Sequence, residues 1–464
     1  YNNDQLTGGC IWEWADHSVY DKNAKYKYTY GGDHGEKYHD GNFCVDGLFY
    51  PDRRPHTGAF EMKEVYRPIR SEFLSDNLYS FTNTNRFLNA NVYDVSYELL
   101  CNGKVVDSGS LSLDIEPRSV RSYVIAHKMT DKLHDWYINF VYRQKNGALV
   151  AKEQLTLFEF LRRPAIAENG SVAYTKKGGS ILVAFEGGIA AFDKKTGALY
   201  SYKIDSKEML SDNFGFVPNL YRAPHDNDVL KDKSWRKNGL DRLRVAGAKL
   251  VSCKNEKGVV KIKSEAQLEY AGKKVFDFEL KYKIYPNGTM RVKTEIERPF
   301  LLALKRMSLP RFGVSLCLDK SLQNVRYYGL GELENLPDFK AQSSMGIYES
   351  TVGKMFEYYI KPQENGEHMN ARFLQLFDGE GRGIRISNGK APFSFTVRPY
   401  SDKSLRSAKH IENLKNENKV FLNIDGFVRG TGTASCGPDV LSQYELYIKY
   451  ELEFDFWLSP KRAE

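Results

Sequence analysis

From about residue 71 onward the chain alternates apolar and polar positions with a period of two, the pattern of strands with one buried face. Val95, Tyr97, Leu99 and Cys101 form one such run and Leu111, Leu113 and Ile115 another, with Asn102-Gly103 between them. Asn-Gly flanked by alternating runs predicts a tight hairpin. Short strands at this spacing over about 90 residues predict an immunoglobulin-like β-sandwich across 71–162. Residues 162–170, RRPAIAENG, read as a linker. Beyond them Leu280, Tyr282 and Ile284 face one way, Asn287-Gly288 turns the chain, and Met290, Val292 and Ile296 return. Nearly all of 163–464 follows this rule, which predicts one large two-sheet sandwich. Its best helical stretch is 231–243, weakened by Gly239. No fixed-period repeat is present, which argues against a propeller or solenoid.

The first 70 residues have a different texture. GCIWEWA, 9–15, is short, apolar and aromatic, and predicts a buried strand over 10–15 with Glu13 pointing away from Trp12 and Trp14. A long loop rich in Gly, Asp and Tyr follows. PHTGAFEMKEVYRPIR then predicts a helix capped by Thr57, with Ala59, Met62, Val65 and Tyr66 on one face and Pro68 as its stop. Strand, loop and helix make one βα unit, which cannot bury itself and needs a larger α/β body.

Composition narrows the function classes. The chain has 464 residues, 41% apolar and 27% charged, which is globular rather than disordered. Its 30 Tyr and 27 Phe favour strands and offer flat faces suited to sugar rings. The net charge of +8 is mild for this length and no run of five Lys or Arg occurs, so no nucleic-acid partner is expected. No apolar run approaches the roughly 20 residues that cross a bilayer, so no membrane partner is expected and the chain reads as soluble, cytoplasmic or periplasmic. The six cysteines are scattered, without CxxC or Cys-His clusters, which speaks against a zinc site. The start at Tyr1 suggests that more chain precedes it.

Five segments in order carry a family resemblance: GGCIWEWADHSVY, YGGDHGEKYHDGNFCVDGLFYPDRRPH, YRAPHDNDV, GLGELENLPD and LNIDGFVRGTG. GLGELE alone also imitates a dinucleotide fingerprint, but it lacks the third glycine and the helix and reads better as a sandwich turn. Together the segments resemble glycoside hydrolase family 2, most closely the large bacterial β-galactosidases. The resemblance implies a mainly β, multidomain chain. Residues 1–70 would be the last βα unit of a (β/α)8 barrel, 71–162 the immunoglobulin-like sandwich, and 163–464 a large sandwich like galactose mutarotase.

It also implies a retaining hydrolase of terminal β-galactosides. Such enzymes need two carboxyl groups roughly 5 Å apart. In the family these are glutamates on earlier barrel strands, absent here, so the chain alone is expected to be inactive. Glu13 and Asp16 are the tempting substitutes, and for Glu13 a structural ion pair or hydrogen bond is the preferred reading. Trp12 matches the sugar platform, while Trp14 has no such match and reads as barrel packing. Phe43, through its carbonyl, and Asp46 match a sodium site beside the sugar, although the best-known pattern has Asn at 46. Magnesium is expected only in a longer parent, with ligands outside this chain. Arg222 with Asp226 or Asp228 would brace the pocket. Cys436 stands in a pocket wall where some relatives carry a stacking Trp, which leaves the leaving group open. None of His34, His39, His56 or His225 is assigned a proton-transfer role. The implied partners are a β-galactoside, the rest of a parent enzyme and a homo-oligomer. Two alternatives stay open: a non-catalytic carbohydrate-binding or subunit-contact module, and a sugar epimerase, for which no convincing His/Glu pair stands out.

Overall fold

A computed structural model describes residues 3, 5–164, 166, 170–213, 215–299 and 306–463. Part of the expected linker, 165 and 167–169, lies outside the described residues.

The first region, up to Arg67, holds little regular structure. A two-stranded ribbon pairs Val19–Tyr20 with Tyr28–Thr29, and helix α1 spans Thr57–Val65. The strand expected at 10–15 is not formed. Its only ladder contact among the described residues is a parallel bridge from Ala15 to Phe49. A strand is held by its neighbours, and within this chain only the 44–49 loop lies alongside. The alternation survives as burial, with Glu13 and Ala15 inside and Trp12 and Trp14 exposed. Helix α1 also departs from expectation. Thr57 is its first residue, and the cap position falls on His56, whose side chain makes no capping hydrogen bond. Val65 and Tyr66 are exposed, whereas Glu64 is buried and accepts the Lys152 backbone N–H at 2.8 Å. A polar residue thus docks the helix where an apolar stripe was expected.

Two sheets follow. One orders Ile69–Ser75, Leu78–Asn83 and Val120–Val124; the other orders Lys104–Leu111, Tyr93–Cys101, Trp136–Gln144 and Leu149–Phe158. They close over Tyr79, Phe81, Val95, Ile138, Phe140 and Tyr142. The Asn102-Gly103 hairpin forms as expected, both residues having positive φ (49° and 75°), the geometry for which this pair is suited.

The last region contains three larger sheets rather than the two expected. A five-stranded meander runs through 173–208. A second five-stranded sheet contains Arg311–Asp319, Lys419–Val428 and Phe393–Arg398 at its centre. A nine-stranded sheet includes Lys273–Ile284 and Met290–Glu297 and has Glu451–Lys461 as its central strand. The three share one apolar core, to which Ile181, Phe192, Tyr282, Val292, Val314 and Phe456 belong. Helix α2 is shorter than the 231–243 pattern. It spans Val229–Lys237, and Gly239 breaks the chain in the left-handed region at φ 75°. A Cβ there would lie 2.0 Å from the Tyr270 ring, so no other residue fits.

Candidate active site

A cavity of roughly 380 Å³ opens where the first region meets the large sandwich. Its walls come from distant stretches: Asp46 and His56 on one side, His225, Glu334, Tyr359 and Thr431 on the other.

The first wall rests on close backbone packing. Segments 13–17 and 44–49 exchange hydrogen bonds: Leu48 N–H to Glu13 O (3.1 Å), Phe49 N–H to Trp14 O (3.1 Å), Asp16 N–H to Phe49 O (2.9 Å) and His17 N–H to Cys44 O (2.7 Å). Gly47 sits between them and donates to Asp16 Oδ1 at 2.9 Å. A Cβ on Gly47 would lie 2.4 Å from the Ala15 carbonyl carbon, so the approach requires glycine. The buried Glu13 carboxyl meets His17 Nε2 at 2.8 Å. Burial raises its pKa, a hydrogen bond with Asp46 raises it further, and His17 opposes the rise. Asp16 reaches His56 Nε2 at 3.3 Å, and the His56 ring stands edge-on to Tyr50 and Tyr359.

Asp226 joins the two walls, accepting from Asn42 Nδ2 at 2.8 Å and meeting Lys361 at 2.9 Å. Arg222 pairs instead with Asp228, through Nε at 3.0 Å and Nη2 at 2.7 Å, both side chains fully buried. Arg222 also donates to the carbonyls of Arg429 and Gly430, so the pair holds the 429–432 loop in place. That loop turns its amides on Asp338: Thr431 N–H to Oδ1 at 2.9 Å and Gly432 N–H to Oδ2 at 2.8 Å. His225 lines the cavity beside this group. Burial, then the nearby Arg222, push its pKa down to about 4, so it is neutral at pH 7.

Sequence reasoning missed the carboxylates of the far wall. Glu334 accepts hydrogen bonds from the Tyr359 hydroxyl and from Gly366 N–H at 2.6 Å. Burial pushes its pKa up to about 7, and the nearby Glu357 adds to the rise against the two hydrogen bonds. Glu364 and Glu367 belong to a buried group around Arg311, whose Nη2 lies 3.1 Å from Glu364, 2.7 Å from Glu367 and 3.2 Å from Asp425. Arg398 meets Glu364 at 3.2 Å and Asp402 at 2.5 Å. Burial alone would raise Glu364, but Arg311 and Arg398 outweigh it and hold it at about 2. Two cations cannot neutralise four carboxylates, and burial with Asp425 nearby drives the pKa of Glu367 well above the usual range against the pull of Arg311. The available signal was the pair of glutamates in ENGE, 364–367, within a β-rich region.

The other expected site residues are placed as follows. Trp12 is 83% exposed and outside the cavity wall. Phe43 is exposed, and Asp46 is the member of that pair that reaches the cavity. Cys436 is exposed, and its neighbour Ser435 lines the cavity, bonded to Asn227. Trp14 stacks on Phe49 with ring centres 4.9 Å apart.

Comparison with known proteins finds three matching family models. Residues 1–71 match the family model for the TIM barrel domain of glycosyl hydrolases family 2, and 79–158 match that for β-galactosidase domain 4. The chain belongs to the β-galactosidase small-chain family, whose model spans residues 186–458, more than half of it. A β-galactosidase of Actinobacillus pleuropneumoniae is 31% identical across 98% of this chain and 45% of its own length. One of Staphylococcus xylosus is 29% identical across 98% and 46%. The chain thus spans about half the length of the curated relatives it matches. A solved galactose 1-epimerase of Lactobacillus acidophilus aligns over 64% of this chain and all of its own, at 9% identity and TM-score 0.33, too distant to bear on function.

Proposed function

We propose that this chain is the C-terminal part of a retaining β-galactosidase and builds one side of its galactoside pocket, with divisions at residues 70 and 162. The observation that carries the reading is the shared cavity, in which Asp46 and His56 of the barrel-like region face Glu334 and Tyr359 of the sandwich. A sugar site with mixed polar and aromatic walls between domains is a common arrangement.

In this reading the reacting carboxyls lie outside the chain. Retention needs two free carboxyl groups near one bond. Glu364 and Glu367 are engaged by Arg311, and Glu364 also by Arg398. Glu334 alone is one group, not two. Exposed Trp12 offers its indole face to the apolar side of a galactose ring. The carboxyl groups of Asp46 and Glu13 lie against one another, an oxygen-rich, negatively biased place that fits a hard cation. Phe43, through its carbonyl, and Asp46 would hold a sodium ion, which would supply positive charge to a sugar hydroxyl. Asp46 orients that hydroxyl, and the Arg222–Asp228 pair keeps the opposing loop in position.

The test uses the chain alone and a chimera in which it replaces the corresponding C-terminal portion of the Actinobacillus enzyme. The chain alone is expected not to hydrolyse nitrophenyl β-galactoside, and the chimera is expected to do so. In the chimera Trp12→Ala should weaken kcat/KM by about 1–3 kcal/mol, the range for aromatic stacking, and Asp46→Ala should shift the sodium titration upward. Turnover by the chain alone overturns the placement of the carboxyls. A folded chimera indifferent to both substitutions overturns the pocket.

A further inference from the structure

The largest cavity described, roughly 930 Å³, lies away from the candidate active site, between the immunoglobulin-like sandwich and the nine-stranded sheet. Arg162, Arg163, Arg372, Arg385, Arg462 and Lys104 line it, and among the described residues Asp135 is the only carboxylate that does. Asp135 is already engaged, by Arg372 Nε at 3.1 Å and by the Tyr328 hydroxyl at 3.0 Å. Arg372 is more than nine-tenths buried and spends Nη2 on Glu159 at 2.7 Å, yet its buried Nη1 has no hydrogen-bond partner among the described residues. Arg385 donates from Nε to the Ser387 hydroxyl at 3.2 Å and lies over the Phe373 ring at 4.0 Å. No carboxylate pairs with it among the described residues. Burial and the nearby Arg326 push its pKa down to about 10, and it still carries its charge at pH 7.

Arg372 is paired with Asp135 and Glu159 but leaves one buried donor, Nη1, unsatisfied, and half-buried Arg385 has no carboxylate partner among the described residues, so an anion entering the cavity would find donors not committed elsewhere. The two planar forks match phosphate or sulfate oxygens. A bare oxyanion would leave most of this volume to water. The hydroxyls of Thr289 and Ser459, 3.2 Å apart, and the Asn388 amide offer partners to ring hydroxyls. We propose that this inter-domain cavity binds a sugar-sized phosphate or sulfate monoester, its oxyanion held by Arg372 and Arg385.

The test is calorimetric titration of the whole chain with glucose 6-phosphate, inorganic phosphate and glucose. The ester should bind about tenfold or more tightly than either other probe, with affinity falling as salt rises. Arg385→Gln should weaken the ester about tenfold, and Arg385→Lys should recover part of the loss. Thermal unfolding without ligand should not fall in Arg385→Gln, because the substitution removes an unpaired charge. No binding of the ester, equal affinity for phosphate or glucose, or an unchanged affinity in Arg385→Gln overturns the proposal. None of these readings depends on galactoside hydrolysis.

Discussion

The two sides of the candidate active site are built on opposite principles. The sandwich side owns a continuous apolar core, and Arg311, Arg398, Arg222 and Arg429 meet Asp425, Glu364 and Asp228 there in full burial. The first region has one nine-residue helix and a ribbon of two two-residue strands, and its apolar cluster of Tyr28 and Tyr50 borrows Ile360 from the sandwich. It is held by docking: Tyr50 to Glu357, Glu61 to the amides of Lys340 and Gln342, and His410 stacked between Tyr26 and Tyr30. One side is a scaffold, and the other takes its shape from what it touches. This contrast explains why Trp12 stands open while Glu334 is enclosed.

The contrast can be broken most severely at Arg311. Arg311→Met strands Glu367 and Asp425 and weakens the hold on Glu364, and removing one partner of a buried pair costs about 3–5 kcal/mol. Urea unfolding should show a loss of that order with the first region carried along; a loss below about 1 kcal/mol would mean that the group is not the scaffold's anchor. Gly47→Ala addresses the docked side. Its Cβ must displace the 15–16 backbone, an overpacking effect of about 1–3 kcal/mol. Hydrogen exchange should accelerate at Asp16, His17, Leu48 and Phe49 while the strands of 311–319 and 419–428 remain protected. Acceleration throughout would erase the distinction between the two sides.

The smallest effect concerns pH. The Glu334 pKa rises from 4.5 to about 7 on folding, so its contribution to stability is full below about pH 4.5 and is lost as pH rises through 7. His225 falls to about 4, so its contribution is present above about pH 6.5 and is lost as pH falls through 4. Glu334→Gln should flatten the decline between pH 4.5 and 7 and leave the acid limb, where His225 and Glu364 act. A parallel curve for the variant would show that Glu334 is not the group responsible.

The same contrast decides what was legible in the sequence. The hairpins at Asn102-Gly103 and Asn287-Gly288 are local events, in which turn chemistry and alternation agree within some twenty residues, and both form. The break at Gly239 is equally local. The 10–15 strand failed because alternation specifies a buried face but supplies no neighbour to bond. Helix α1 misled because its buried contact is the Glu64 carboxylate on a distant backbone amide. At the site, the proximity of Arg222 to Asp228 showed itself through a six-residue spacing. Arg311 meets Glu364, Glu367 and Asp425 across 53 to 114 positions of chain, which no short pattern records. Glu334 was hidden inside a motif read as a turn, which in the structure is the end of the strand Asn324–Gly331 and the bend after it, and nothing local tells that this bend faces a cavity.

The grip on Asp338 has a consequence for how the 429–432 loop tolerates change. Its negative charge is met by peptide N–H groups rather than by a cationic side chain, so the loop's chemistry resides in its trace. The identity at 431 is therefore loosely constrained, whereas position 430 is not: any Cβ there would lie 2.6 Å from the Asp338 carboxylate. Variation within this loop can alter the lining of the cavity while the anchor beneath it stays in place.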